Sequence, residues 1–410
     1  MKITRRRLMQ AIGGLGVSAS LGRGSAHAAG GARRYDVVII GGGVFGIWTA
    51  ERLHRAGVGV CVVDGVGPAH SRASSGGESR VIRAGYGDKE IYTEWAWRSV
   101  GAWQALSDRA GLPLFRPAGV LWLHRRQDEL VAASADVLAR HDIPFEMLGP
   151  RELRSRYPVL RVADDEAGFL EPAAGALMAR RAVQFLAAEL AADGVAFVGA
   201  TVQPTGRGQG DDGILPAVTT TGGERIEAEQ FVFACGPWLD RVCPEAMAGR
   251  LFVTRQEVFY FGVPAGATGT LPVWADLPFY GFPDIEGRGF KVADDTHGPP
   301  LHPDTADRRA SAAGERRARD FLAARFPGLA DAPLTESRVC QYENSADGHF
   351  VIDRHPGLEN VWLVGGGSGH GFKHGPALGE HVAALVTGSD NPRQPFLLAS
   401  RPARQERTVQ

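Results

Sequence analysis

The sequence predicts an α/β chain in which a parallel, nucleotide-binding sheet is interleaved with a second unit of antiparallel or mixed β-sheet and helices. Three observations carry this. Tyr35 to Asp64 reads as strand, glycine turn, helix and strand. A second buried-strand run returns at Gln230–Ala234, after a set of short strands. Near the far end, a glycine-lined turn from Gly365 to Gly371 leads into another helical pattern.

The first segment is the most specific. D-V-V-I-I is a continuous β-branched run, as expected of a parallel strand covered on both faces. G-G-G-V-F-G matches G-x-G-x-x-G at Gly41, Gly43 and Gly46, and the spacing predicts a helix over about 45–56. V-G-V-C-V-V then ends on Asp64, eighteen residues past Gly46. In a Rossmann-like unit of this kind the glycines allow a tight turn and close approach of a pyrophosphate to the helix N-terminus. The acid accepts hydrogen bonds from a ribose.

Further along, residues 89–111 and 127–141 read as amphipathic helices, with Ile91, Trp95, Trp97, Val100 and Trp103 as apolar positions of the first. These tryptophans read as core. A helix is expected over 176–193. Short strands from Val195 to Gly236 are broken by a polar hairpin, Gly206 to Gly213, in an antiparallel excursion from the parallel sheet. Residues 246–300 are β-rich and aromatic, and a charged helix over 314–326 stops before Pro327. The order implies discontinuous domains. Residues 34–115, 171–245 and 336–395 form the nucleotide unit, 116–170 and 246–335 the substrate unit, and 396–410 a C-terminal tail.

A chain of 410 residues with 44% apolar content can bury a sizeable core. Residues 1–28 carry five of its 45 basic residues and no acid, leaving 40 basic against 46 acidic, a net of −6. No basic block beyond them points to nucleic acid, and a small-molecule role is expected. The leader T-R-R-R-L-M-Q, a short Gly/Ala-diluted apolar run and Ala26-His27-Ala28 resemble a twin-arginine signal with an A-x-A cleavage site. Export to the periplasm or beyond is the expectation, with no stretch long and apolar enough to span a membrane. Cys61 and Cys235 sit in or after buried-strand runs and read as small core residues, while a Cys235–Cys243 bridge stays open to an exported chain. No spacing resembles a metal site.

Three segments carry the chemistry. S-R-A-S-S-G-G-E-S-R-V-I-R-A-G-Y-G follows Asp64 and places Arg80 and Arg83 three apart, just before Tyr86. Arginines there either face a flavin or a substrate carboxylate, where bidentate pairing favours Arg, or belong to a solvated loop. F-Y-G-F-P-D-I-E-G-R-G-F-K puts Tyr280 and Lys291 on adjacent strands of a hairpin turning near Asp284–Gly287. A lysine in that setting ordinarily reads as a solvated edge charge. R-V-C-Q-Y-E-N places Cys340 two residues before Tyr342, upstream of G-G-G-S-G-H-G-F-K, where Lys373 precedes a helix. The ordinary expectation for Cys340 is an inert buried thiol. The helix after Lys373 has Ala377, Leu378, Val382, Leu385 and Val386 on its apolar face, and its positive end is expected to favour negative charge on a reduced isoalloxazine.

Together these segments resemble the monomeric sarcosine oxidase and N-methyltryptophan oxidase family of D-amino-acid-oxidase-like flavoproteins, from about Tyr35 to Gly388. The resemblance implies FAD, joined through an 8α-thioether to Cys340. It implies a cofactor-binding set of Gly41, Gly43, Val44, Phe45, Gly46, Asp64, Ser74, Ser75, Arg80, Val202, Cys340, Gly367, Ser368, Gly369, His370, Gly371 and Lys373. Arg83 and Lys373 match a pair that grips the substrate carboxylate, Tyr280 and Tyr342 match active-site tyrosines, and Lys291 matches a lysine that promotes the reaction of reduced flavin with oxygen. The implied activity is oxidation of an amine C–N bond in a secondary or primary amino acid-like substrate, with O2 reduced to H2O2, by a monomer. Two departures bear on the substrate: Gly76 stands where the family has histidine, and Asp295, with His297 two further on, stands where another histidine is common. The resemblance puts both at the pocket border. Two other readings remain open: an exported flavin dehydrogenase that passes electrons to a quinone or carrier, and a catalytically silent flavin-bound partner protein.

Overall fold

The structure, a computed structural model, describes residues 34–125, 128–206 and 211–400. The leader with its cleavage site, and residues 207–210 of the Gly206–Gly213 hairpin, lie outside the described residues.

The first sheet has seven strands. Arg34–Ile40 is central and parallel to Val60–Val63 on one side and Arg225–Phe233 on the other, with Val38 opposite both Cys61 and Phe231. Leu358–Gly365 continues the parallel order beyond Arg225–Phe233, and Ala196–Val198 closes the far edge. Val351–His355 and Ala217–Thr219 are antiparallel additions. Alternate residues of the central strand feed two cores: Val37 and Ile39 face one, Val38 and Ile40 the other. Helix Val44–Arg55 covers the first face together with Glu90–Ala110, Ala179–Ala192 and Gly375–Val386. Trp95 and Trp103 are buried in that core, as the sequence implied, and Trp97 packs at its margin.

The second sheet has eight strands in the order Leu334–Ser345, Leu251–Phe261, Phe290–Asp294, Phe279–Phe282, Val273–Asp276, Val120–Arg125, Glu166–Glu171 and Glu146–Leu148. All pairings are antiparallel except Val120–Arg125 with Val273–Asp276. Helix Ala312–Arg325 lays Ala318 and Leu322 on its aromatic face, against a cluster that includes Trp274, Phe290 and Phe326.

Three boundaries differ from expectation. Leu334–Ser345 pairs along its length with Leu251–Phe261, so the strand bearing Cys340 and Tyr342 belongs to the second sheet and not to the nucleotide unit. Residues 175–178, expected partly as helix, form a strand that pairs with Ser79–Ile82. Phe396 is not tail: it is fully buried against Trp95 and Phe350. Its register with those rings depends on residues far away in sequence, which local pattern does not report. All four cysteines are free, so there is no Cys235–Cys243 bridge. No helix among the described residues is long and apolar enough to cross a membrane.

Candidate active site and cofactor cradle

At the carboxyl ends of the parallel strands a cavity of about 470 Å³ is lined by Gly41, Gly43, Asp64, Ser74, Ser75 and Val202. Gly41 has φ +113°, and a Cβ there would sit 2.3 Å from the Ala234 carbonyl oxygen, so only glycine lets the chain turn at this point. Gly46 does not line the cavity. A Cβ on it would lie 2.0 Å from the Gly41 carbonyl oxygen, so its task is close helix–strand packing. Asp64 accepts from the Gly42 N–H at 2.7 Å and from the Val66 and Gly67 N–H groups at 2.9 and 2.7 Å, which fixes the carboxylate at the strand end. Ser75 Oγ accepts from the Val44 N–H at 3.0 Å at the helix start.

A second cavity, of about 100 Å³, shares Gly43, Ser74 and Ser75 with the first and continues past Val44, Phe45 and Arg80 to Gly367, Ser368, Gly369 and Gly371. A Cβ on Gly369 would lie 2.7 Å from the Tyr342 ring, and Gly369 has φ +82°. The helix beyond this turn begins only at Gly375, after a 3₁₀ turn over Phe372–His374, so Lys373 lies one turn ahead of the helix proper.

Arg80 is held by the Ser74 carbonyl at 2.7 Å and the Ser79 carbonyl at 2.8 Å, and its Nη2 donates to Cys340 Sγ at 3.3 Å. The solvated-loop reading of the two arginines therefore fails: Arg80 is half-buried and Arg83 is buried. Cys340 is half-buried and shares a recess with Arg80, Lys291, Tyr280 and Tyr342, so it is not a thiol sealed in a core. Cys243 is sealed in the core and Cys235 is half-buried on the wall of the first cavity, and burial pushes both thiols up. Lys291 is no edge charge either. It is 2% exposed, and its Nζ donates to the Ser79 carbonyl at 3.2 Å and Ser79 Oγ at 3.3 Å over the Phe282 ring. Burial, then the nearby Arg80, hold its ammonium well below the usual lysine range.

A third cavity, of about 80 Å³, is bounded by Arg80, Arg83, Trp122, Trp274, Tyr280, Asp295, Tyr342, His370 and Lys373. The Arg83 guanidinium is sandwiched between the Tyr86 ring at 4.2 Å and the Trp122 ring at 4.5 Å. Trp122 Nε1 donates to buried Glu171 at 3.0 Å, and that carboxyl, pushed up by burial, also accepts from the Ala84 and Gly85 N–H groups. Lys373 Nζ donates to Tyr86 Oη and to the His370 carbonyl, both at 2.8 Å, and burial with Arg83 nearby pushes its pKa well down. Tyr342 Oη donates to Asp295 at 2.8 Å and lies 3.4 Å from Tyr280 Oη; burial raises Tyr280 to about 12.

The structure thus brings Arg83, Lys373, Tyr280 and Tyr342 to one cavity, with Lys291 and Cys340 in the adjoining recess. Asp295 borders the pocket, but Gly76 does not. A Cβ on Gly76 would meet the His70 carbonyl oxygen at 2.0 Å, so this position is set by packing. His297 lies outside the pocket lining, against Phe252. Sequence reasoning assigned no role to Tyr86, Trp122 or Glu171, whose side chains assemble only when Ala84–Tyr86 meets two strands of the second sheet.

The two connected cradle cavities suit an elongated dinucleotide. The first offers an anchored acid and a glycine turn at a helix N-terminus, and the second a flat slot beside Tyr342 and Gly369. The FAD dependent oxidoreductase family matches residues 36–385. The chain is 31% identical over 369 residues to a monomeric sarcosine oxidase of Streptomyces avermitilis, covering 86% of this chain and 93% of that protein. It is 30% identical over 366 residues to an N-methyl-L-tryptophan oxidase of Citrobacter koseri, covering 87% and 95%. Among solved structures, L-proline dehydrogenase from P. horikoshii shares the fold with a TM-score of 0.77 at 21% identity, over 88% of this chain and 95% of that one. On this cradle and this match the chain belongs to the FAD-dependent oxidoreductase family.

Proposed function

We propose that the protein oxidises the C–N bond of an amino acid-like secondary or primary amine to an imine, with O2 as electron acceptor and H2O2 as product. The observation that carries this reading is the pair of buried basic side chains, Arg83 and Lys373, on the wall of a small aromatic cavity that opens at Arg80 and Tyr342 onto the cofactor slot. When bound, FAD accepts the hydride equivalent from the substrate carbon. The residues do the rest. Arg83 and Lys373 hold a carboxylate, Trp122 and Tyr280 exclude water around the amine, and Asp295 fixes the Tyr342 hydroxyl beside it. Lys291 supplies a fixed cation in the recess next to the flavin slot, where negative charge grows as oxygen is reduced.

Two finer features belong to this proposal. Cys340 would hold FAD covalently, through a thioether to its 8α carbon. Support comes from the position of the sulfur, which accepts from Arg80 Nη2 at 3.3 Å in the recess beside the flavin slot. The protein is exported after folding, on the strength of the arginine-rich leader. The test is a panel of N-methyl, cyclic and primary amino acids mixed anaerobically with the purified protein. One class of amine should bleach the flavin absorbance and, in air, release peroxide. A flavin that no such amine bleaches would refute the activity.

A further inference from the structure

Glu343 lines the flavin-side cavity together with Gly43, Gly236 and Gly367, between the helix N-terminus at Val44 and the slot beside Tyr342. Its side chain is 6% exposed. One carboxyl oxygen, Oε1, is buried and has no hydrogen-bond partner among the described residues. The Gly366 and Gly367 N–H groups lie against the carboxyl. The local chain is shaped to admit it: a Cβ on Gly365 would lie 2.6 Å from Oε1, and the Glu343 carbonyl accepts from the Ser368 N–H at 2.8 Å, which pins the glycine turn to this strand.

A buried acceptor left without a donor is costly, so such a group is retained where a ligand supplies the donor. The place in the cavity identifies that donor. On one side the glycine turn and the start of helix Val44–Arg55 suit a pyrophosphate. On the other, Arg80, Tyr342 and Gly369 flank the ring slot. Between a pyrophosphate and an isoalloxazine ring, FAD carries a chain of hydroxyl groups. We infer that Glu343 is a cofactor-binding residue whose Oε1 accepts a hydrogen bond from a hydroxyl of the polyol chain of FAD. This rests on FAD as the cofactor and extends the binding set beyond the fingerprint and the glycine turn. The role needs an acceptor oxygen, so Glu343→Gln keeps it through the amide oxygen, whereas Glu343→Ala removes it.

The experiment measures equilibrium binding in a Cys340→Ala background, where FAD remains exchangeable, using apoprotein and the quenching of flavin fluorescence. The probes are FAD and a set of FAD analogues each lacking one polyol hydroxyl. The parent should bind one of the deoxy analogues at least tenfold more weakly than FAD. Glu343→Ala should lose about the same factor toward FAD and no longer distinguish that analogue, while Glu343→Gln binds FAD within a few-fold of the parent. Equal affinity of the parent for FAD and every deoxy analogue would overturn the inference, as would a Glu343→Ala variant that still discriminates. The parent's discrimination decides the matter even if Glu343→Ala does not fold. If the parent binds no FAD at all, the cofactor reading falls along with this one; if it binds FAD and ignores the hydroxyls, only the role of Glu343 falls.

Discussion

Lys373 donates to the Tyr86 hydroxyl at 2.8 Å, while the face of the same ring carries the Arg83 guanidinium at 4.2 Å. One side chain therefore positions both cations of the proposed carboxylate clamp. His374 Nε2, 2.8 Å from the Tyr86 oxygen, and His370 Nδ1, at 3.3 Å, fix that hydroxyl from behind.

Tyr86 is then a positioning residue with two separable parts. Tyr86→Phe removes the Lys373 partner and keeps the ring under Arg83; Tyr86→Leu removes both. Steady-state kinetics should show KM for a carboxylate-bearing amine rising about tenfold in the first, roughly 1.4 kcal/mol, and further in the second, with kcat changing less. Equal changes in kcat and KM for both variants would point to a merely structural ring.

Lys291 should matter to oxygen and not to the amine. Lys291→Met is expected to leave anaerobic flavin reduction largely intact and to slow reoxidation about a hundredfold, roughly 3 kcal/mol. Stopped-flow mixing of the reduced protein with oxygen reads this directly. Unchanged reoxidation removes the assignment.

The Cys340 link is checked by acid precipitation. Wild-type protein should give a yellow pellet, and Cys340→Ala a colourless pellet with yellow supernatant. Flavin released freely from the wild type contradicts covalent attachment.

Glu343 gives a stability prediction with a definite sign. Burial, as the main cause, raises its carboxyl from 4.5 to about 8, so between these values the folded apoprotein binds more protons than the unfolded chain. Its contribution to stability accordingly falls as pH rises through that window. Thermal melts of apoprotein should show Glu343→Gln losing less stability than the parent between pH 5 and 8, and parallel curves would contradict the shift.

Much of this was readable in the chain because it is local. The strand–turn–helix at Val37–Arg55 and the acid at Asp64 are set by β-branching, glycine spacing and helix period, all of which act over a few residues. The burial of Lys291 was not readable. A lysine flanked by Phe290 and Val292 looks like an edge charge until Ser79, 212 residues away, supplies its acceptors. The resemblance named Arg83 and Lys373 as a pair, but the ring that positions them was hidden, since Tyr86 and Lys373 meet across 287 residues. Gly76 misled for the opposite reason: its place in a motif pointed to the pocket, but the His70 carbonyl decides it. Glu343 reads in sequence as an ordinary polar strand residue, and only the glycine turn folding over it turns it into a buried acid.

The most direct test of the account compares two substrates that differ in one group. An N-methyl amino acid that reduces the flavin and its carboxamide are mixed anaerobically with the protein, and the loss of flavin absorbance is timed across substrate concentration. The account predicts at least hundredfold higher second-order reduction by the carboxylate, a preference that largely disappears in Arg83→Met. Equal reduction by acid and amide in the wild type would contradict it, because Arg83 and Lys373 would then be holding nothing that the reaction needs.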